Sequence, residues 1–430
     1  MDSYYIYSLP GFTTKPTVTM SDQILPETVS NILSRCDVAT IGRCKCISKQ
    51  WRDIIESTHF MKLHLDYATN TSSAAVFFKE LFDEALFQAS MKHLDSRYVP
   101  ITSQVMPFVL IGSCNGLLLL HKKQTQDFCI VNPATDKHAY LPHLLPTCND
   151  DAAIGYGFGY DSVNDDYKVI RIAQESGPGK TGFFRTEITV TCVKKRAIEL
   201  DEMPYFMKPL ANGLFLAGAL HWLMCRYDHK NMLLIVGYDL ATNETRELPL
   251  PDLKGELKDF KFEDCVVGLG ILRTWLSIST NYGNGMTVGF WAMKEYGVEE
   301  SWSKLFSFSL AHMSCALVRP LGLSNSDNLV VLELDRTRLI LYDRMAKDVT
   351  GLEHKAFGEA MVCFRSIAPL PSAENGQTDE NNQSSQDQNR STRKKRDDFL
   401  WKGFKLISWS WMVNRVSTCV MKFFWWNRRN

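Results

Sequence analysis

The residues that invite a chemical reading are few, and each has a plainer account. Gly155-Tyr156-Gly157-Phe158-Gly159 gathers glycines as a dinucleotide-binding turn does. The spacing is not G-x-G-x-x-G and no helical pattern follows, so these glycines read as strand-end turns. Gly177-Pro178-Gly179-Lys180-Thr181 resembles the end of a phosphate-binding loop. Such a loop needs a glycine where this chain has Gln174, so the segment reads as a hairpin tip. His221-Trp222 sits mid-strand between Leu220 and Leu223, with no carboxylate or nucleophile at catalytic spacing, and reads as a packed histidine. Asp165-Asp166 reads as a turn pair rather than a general acid–base pair. The 12 cysteines are scattered; the closest spacing, Cys44-x-Cys46, fits neither a zinc site nor a disulfide framework. Lys394-Lys395-Arg396 reads as a solvated linker cluster rather than a nuclear-import signal. No catalytic, cofactor or metal site is expected.

A chain of 430 residues implies two or three units. Its 45% hydrophobic and 22% charged residues are ordinary for a soluble globular protein. Lys plus Arg balance Asp plus Glu at 48 each, which argues against nucleic acid as a main partner. The opening MDSYYIYSLPGFTTK holds no apolar run flanked by basic residues, so no secretory signal is expected. Reduced, buried cysteines in the cytoplasm or nucleus fit that reading.

Six zones follow from pattern. Residues 1–20 read as a mobile arm and 21–66 as short helices. Residues 67–105 read as a further helical connector, with Phe77, Phe78, Leu81, Phe82, Ala85 and Leu86 at helical spacing. Residues 106–370 read as strands. Residues 371–398 carry no aromatic, and no aliphatic larger than alanine, and are expected to be disordered. Residues 399–430 hold five tryptophans among basic residues, with charges interrupting every apolar run before the 18 or so residues a spanning helix needs. Contact with a membrane interface or a partner is one reading of them, a tail without a role the other.

In 21–66, Pro26 suits a helix start, and Leu25, Val29, Ile32 and Leu33 line one face. Asp37 and Ser48 are placed to cap two further helices, the second carrying Trp51, Ile54 and Ile55 inward. So small a unit gains stability by laying an apolar face on a partner. The pattern Leu25-Pro26, Ile32-Leu33, Cys44-Lys45-Cys46-Ile47-Ser48-Lys49-x-Trp51-Arg52, then Phe60 and His64-Leu65, resembles the F-box of plant F-box proteins. The resemblance implies docking on a Skp-type adaptor, and through it on cullin and RING subunits. It places Leu25, Pro26, Ile32, Leu33, Cys36, Ile41 and Ile47 at the adaptor contact and Trp51 in the module's own core. Cys36-Asp37, with Ala39, departs from the family's Leu-Pro; the loss of a contact leucine implies weaker binding.

In 106–370, hairpins recur: Leu117–Leu120 with Phe128–Val131, Leu216–Met224 with Leu233–Tyr238, Trp275–Thr280 with Met286–Met293, and Leu329–Leu334 with Leu339–Tyr342. Asn115-Gly116-Leu117, Ala134-Thr135 and Leu141-Pro142 are echoed by Asn212-Gly213-Leu214, Ala241-Thr242 and Leu248-Pro249. Gly159-Tyr160-Asp161, Gly237-Tyr238-Asp239 and Leu341-Tyr342-Asp343 echo one another more faintly. Hairpins recurring without helices predict a β-propeller of about five or six blades, with a large β-sandwich as the alternative. The span resembles the F-box-associated domain of plant proteins, through Gly112–Leu117, Asn132-Pro133-Ala134-Thr135, Gly157–Asp161, Asp166–Val169, Gly218–Trp222 and Ser301-Trp302. It lacks the Gly-Gly doublet of true kelch repeats. The whole is expected to be an α plus all-β protein that serves, without catalysis of its own, as the substrate-recognition subunit of a Skp–cullin–F-box ubiquitin ligase, holding an unidentified protein substrate. The alternatives are a scaffold independent of the adaptor, or a propeller-type binding protein or enzyme with a degenerate F-box.

Overall fold

The structure of the chain, a computed structural model, describes residues 25–371, apart from 71–73, 81–85, 91–98, 101–108, 123–124, 142–143, 146–151, 177–183, 196–197, 208–210, 228–232, 253–265, 283–286, 310–316, 325–327 and 352–356. The arm expected at 1–20, the Gly177–Thr181 tip, the linker at 371–398 (save Pro371) and the segment 399–430 lie outside the described residues.

Four helices come first: α1 (Pro26–Leu33), α2 (Val38–Cys44), α3 (Lys49–Glu56) and α4 (Thr58–Asn70). Local chemistry sets their starts. Pro26 opens α1, where its missing N–H costs nothing. Asp37 caps α2, its carboxylate accepting from Thr40 N at 2.9 Å and from Thr40 Oγ1 at 2.8 Å. Ser48 Oγ accepts from Trp51 N at 3.1 Å and caps α3. Val29, Leu33, Ile41, Cys44, Ile55 and Phe60 pack together, with Trp51, Ile54 and Cys36 at the edge. Ile367, from the far end of the chain, packs against the same core.

Of the helical connector expected at 67–105, the described residues hold only the end of α4. After α4 the chain runs as β1 (Ala74–Glu80), β2 (Leu86–Ser90) and β3 (Val99–Pro100). Ala75 and Phe77 bury into one cluster, Val76 and Phe78 into another. A strand buried on both faces gives an unbroken apolar run, which periodicity alone does not separate from a helix.

Those strands belong to one of six sheets. Four others follow one meander each: β4 (Val109–Cys114), β5 (Leu117–Lys122), β6 (Asp127–Asn132) and β7 (Lys137–Leu141); β8 (Ala153–Asp161), β9 (Asp166–Ser176), β10 (Phe184–Cys192) and β11 (Ile198–Met203); β17 (Val266–Leu272), β18 (Trp275–Tyr282), β19 (Thr287–Met293) and β20 (Trp302–Ser309); β21 (Val318–Leu323), β22 (Leu329–Leu334), β23 (Arg338–Asp343) and β24 (Asp348–Gly351). The third sheet in order splits its first strand: β12 (Tyr205–Met207) and β13 (Leu214–Leu216) pair with opposite ends of β14 (Ala219–Arg226), followed by β15 (Leu233–Asp239) and β16 (Thr245–Leu248). In the sixth sheet β25 (Phe357–Phe364) pairs with β1, Phe78 opposite Ala360, so the last of the described strands completes the sheet that the first of them began. This is a six-bladed β-propeller, not the sandwich.

The end strands of neighbouring blades pack side by side, β4 against β8, β17 against β21 and β25 against β4. Gly268 meets Val318 O and Gly270 meets Pro320 O; a Cβ at either glycine would lie 2.0 or 1.9 Å from that carbonyl, so only glycine permits the approach of β17 to β21. Ser113 Oγ donates to Val362 O at 2.7 Å, and Asn212 Nδ2 to Leu110 O at 3.4 Å, supplying donors to carbonyls at the ring's inner edge.

One turn recurs at blade ends. Asn132, Asp161, Asp239 and Asp343 each accept from the backbone N–H two residues on, at 3.0, 3.0, 2.9 and 2.8 Å. Each is followed four residues later by a left-handed residue, Asp136, Asp165, Asn243 or Lys347, at φ 54, 51, 59 and 53. The Ala134 and Ala241 echo in the sequence is this turn. The Asn115-Gly116 echo is not structural: that pair turns β4 into β5, while the matching turn of the third sheet is Ala217-Gly218 and Asn212-Gly213 precedes β13.

Two clamps hold the closing strand. Glu333, on β22 and 1% exposed, accepts from Arg319 Nε at 2.6 Å and from Ala360 N at 3.0 Å. Arg319 Nη2 donates to Ala360 O at 2.8 Å. On the other side, buried Asn132 donates to the carbonyls of Ser366 and Ala368 at 3.1 and 2.8 Å.

Candidate functional site

Two surfaces stand out. On the helical module Leu25 is 66% exposed, Ile47 59% and Ile32 36%, and Pro26 is also exposed, although the opposite faces of the helices bury a core. Cys36 is half-buried, its Sγ donating to Ile32 O at 3.6 Å. Leu33 and Ile41, also expected at the adaptor contact, are 4% and 0% exposed and fill the core beside Ile55 and Phe60. Trp51 is half-buried against that core.

The second surface is the wall of an axial cavity of about 310 Å³ between the first strands of the blades. Leu65 and Thr69 of α4 line it at the end where Asn115, Gly116 and Phe364 stand. Arg336 and Leu317 line it at the other end, where Asp335 N donates to Leu317 O at 2.8 Å. The helical module therefore packs where the first strands end.

Several described residues that invite a chemical reading in the sequence make structural contacts. Gly157 and Gly159 on β8 make room for the Leu220 and Trp222 side chains and for Leu240 and Phe215. His221 is fully buried; its Nδ1 lies 3.1 Å from Leu214 O and its Nε2 2.6 Å from Tyr296 Oη. Nδ1–H donating to the carbonyl leaves Nε2 to accept from the tyrosine. Burial pushes this imidazole down to about 4, so it is neutral at pH 7. Asp165 accepts from Tyr160 Oη and Lys194 Nζ, which hold its carboxyl below the usual range. Asp166 accepts from Lys194 N at 3.0 Å. Among the described residues no three His, Cys, Asp or Glu side chains form a metal-binding group. No helix among them is long and apolar enough to cross a membrane.

Comparison with known proteins decides the family. The F-box associated beta propeller domain matches residues 72–357, and the F-box domain matches residues 23–63. This chain belongs to the F-box proteins. F-box protein CPR1 of Arabidopsis thaliana is 29% identical over 417 residues, covering 88% of this chain and 98% of the relative. An F-box/kelch-repeat protein of the same plant is 29% identical over 334 residues, covering 74% and 86%. Among solved structures, an oligogalacturonate lyase from Vibrio parahaemolyticus covers 66% of this chain and 80% of its own, at 10% identity and a TM-score of 0.36, too loose to carry an argument.

For an F-box protein of this build, two features escaped the sequence reading. Ile367, which ties the F-box to the propeller, lies in a stretch with no pattern of its own. Arg273, Arg319 and Arg336 gather on the cavity wall from separate strands and turns. Nothing local in the sequence shows that the turn between β22 and β23, which carries Arg336, reaches the axis.

Proposed function

We propose that this F-box protein is the substrate receptor of a Skp–cullin–F-box ubiquitin ligase, non-catalytic itself. The F-box docks on a Skp-type adaptor through Leu25, Pro26, Ile32, Cys36 and Ile47, while Leu33, Ile41 and Trp51 keep the helices in place. The observation that carries the reading is the outward apolar set, Leu25 and Ile47 above all, on a module whose small core is already filled. Apolar side chains that exposed gain free energy only against a partner. The propeller holds the protein substrate, and the mechanism is proximity: a substrate lysine kept near a charged ubiquitin carrier reacts at raised effective concentration.

The substrate is taken by the propeller face away from the helices. On the helix side, the turns Cys114 to Leu117, Leu216 to Ala219 and Leu272 to Trp275 are tight. On the far side, connections such as Leu141 to Ala153 and Leu248 to Val266 are long, and long connections are where binding surfaces are built. The test is capture of purified Skp-type adaptor by the full chain. Leu25→Asp with Ile47→Asp, which leaves the helical core untouched, is expected to abolish capture. Undiminished capture by the folded double variant overturns the reading.

A further inference from the structure

Past the closing strand, residues 365–371 run without helix or strand between the propeller and the helical module. Their side chains alternate. Ser366 is buried, and Ala368 and Leu370 pack on the core shared by the β4–β7 and β8–β11 sheets. Ile367, between them, packs instead on the core of the helices, with Leu33, Ile41, Ile55 and Phe60. Asn132, buried at the end of β6, fixes this alternation. It donates to the carbonyls on either side of Ile367, Ser366 O at 3.1 Å and Ala368 O at 2.8 Å, and Ala368 N donates to Ser366 Oγ at 2.9 Å. Gly116, at φ 81, makes room for the segment: a Cβ there would lie 2.2 Å from Ser366 Cβ. Pro369 and Pro371 restrict the backbone before folding and carry no N–H in need of a partner.

The helices depend on that contact. Their own core is small, and units of that size seldom hold a fold unaided. The other tie is α4, which packs against β25. Ile367 follows shortly after Phe364, the end of β25, so its place beside the helices is set by the pairing of β25 with β1, Ala74 opposite Phe364. Completion of the F-box thus waits on closure of the ring. A module that spends only part of its time in the competent form binds its partner more weakly in the same proportion.

We propose, granted the receptor reading, that Ile367 and Asn132 are positioning residues for adaptor docking: through them ring closure completes the F-box, and a chain whose closing strand is displaced docks the Skp-type adaptor weakly. Such coupling is reciprocal, so bound adaptor holds residues 365–371 in place by the same factor. A propeller that is open, and so lacks its finished substrate face, is thereby withheld from the ligase.

The test is hydrogen–deuterium exchange of the full chain, read by mass spectrometry, together with titration against purified Skp-type adaptor. In Ile367→Ser the amides of α1 to α3 are expected to exchange at least fivefold faster than in the wild type, with β14 and β15 unchanged, and adaptor affinity to fall at least fivefold. Ile367→Val is expected to restore both to within about twofold of the wild type. Asn132→Ala, which loses the bonds to residues 366 and 368 and to Ala134 N, is expected to act in the same direction from the propeller side. Saturating adaptor is expected to slow exchange at Ala368 of the wild type. Should Ile367→Ser disturb β14 and β15, Ile367→Ala takes its place. Wild-type exchange and affinity in Ile367→Ser, or exchange at Ala368 that adaptor leaves unchanged, overturns the proposal. If the wild type captures no adaptor, the receptor reading fails, and exchange of α1 to α3 in the free chain still decides whether Ile367 completes the module.

Discussion

Glu333 is the residue through which the ring can be opened with least disturbance elsewhere. Its carboxylate is buried and takes two hydrogen bonds, one from Arg319 and one from the Ala360 backbone of the closing strand. Glu333→Ala leaves a guanidinium only 21% exposed without its counter-ion and a buried N–H without an acceptor. Breaking one side of a buried pair costs about 3–5 kcal/mol, the orphaned N–H being part of that sum. At about 2 °C per kcal/mol for a domain this large, the melting temperature should fall by roughly 6–10 °C. Glu333→Gln keeps an acceptor for Ala360 N and should lie between. The control is Glu202→Ala, which removes an equally close partner from Arg185 on the surface, both side chains over 60% exposed; no measurable shift is expected there. Thermal unfolding followed by far-ultraviolet circular dichroism reads all three. If Glu333→Ala melts with Glu202→Ala, the Arg319–Glu333 pair does not hold β25, and the account of ring closure is wrong.

Three further outcomes are expected. Cys36→Leu adds apolar area at the half-buried edge of the F-box and should tighten adaptor binding about tenfold, about 1.4 kcal/mol; Asp37→Pro should leave affinity near wild type but cost α2 about 1 kcal/mol, since both bonds to Thr40 go. Titration of each full-length variant against purified adaptor measures this, and unchanged or weaker binding by Cys36→Leu would show that residue 36 does not face the adaptor. His221 predicts a pH dependence: its folded value, about 4, lies below the ordinary 6.5, so the unfolded chain takes up the proton first as pH falls. Its contribution is complete above about pH 6.5 and is lost progressively toward pH 4, at most about 1.4 kcal/mol per pH unit. His221→Gln should flatten the change in urea midpoint between pH 7 and pH 5; identical slopes in the two proteins would remove His221 as the cause.

The sequence disclosed the elements whose signals are local. Asp37 and Ser48 marked helix starts because a capping side chain acts within three residues, and the hairpins of 117–131 and 329–342 showed because paired strands are joined by short polar turns. It concealed what depends on distant partners. Ala74–Glu80 read as helix because its strand is covered on both faces by blades made from residues as far off as Leu118 and Val331. Leu33 and Ile41 read as contacts because burial against Ile55 and Phe60 cannot be told from burial against another protein by residue type. Glu333 sits in Leu332-Glu333-Leu334, an alternation that ordinarily means a solvent-facing acid, and its partner on the closing strand is fixed only by the circular topology.

That topology also has a temporal side. Phe78 leaves the ribosome far ahead of its partner Ala360. At 5–20 residues per second the interval is roughly 15 s to one minute. Throughout it, the edge of β1 that β25 will occupy offers its N–H and C=O groups to any other chain, the hazard that closed sheets otherwise avoid. The four helices, whose contacts are almost all local, can be in place within that interval, lacking Ile367 and the contact of α4 with β25. Nascent chains of this protein thus pass through a stage with a nearly finished F-box and an unclosed propeller, one strand edge still open to other chains.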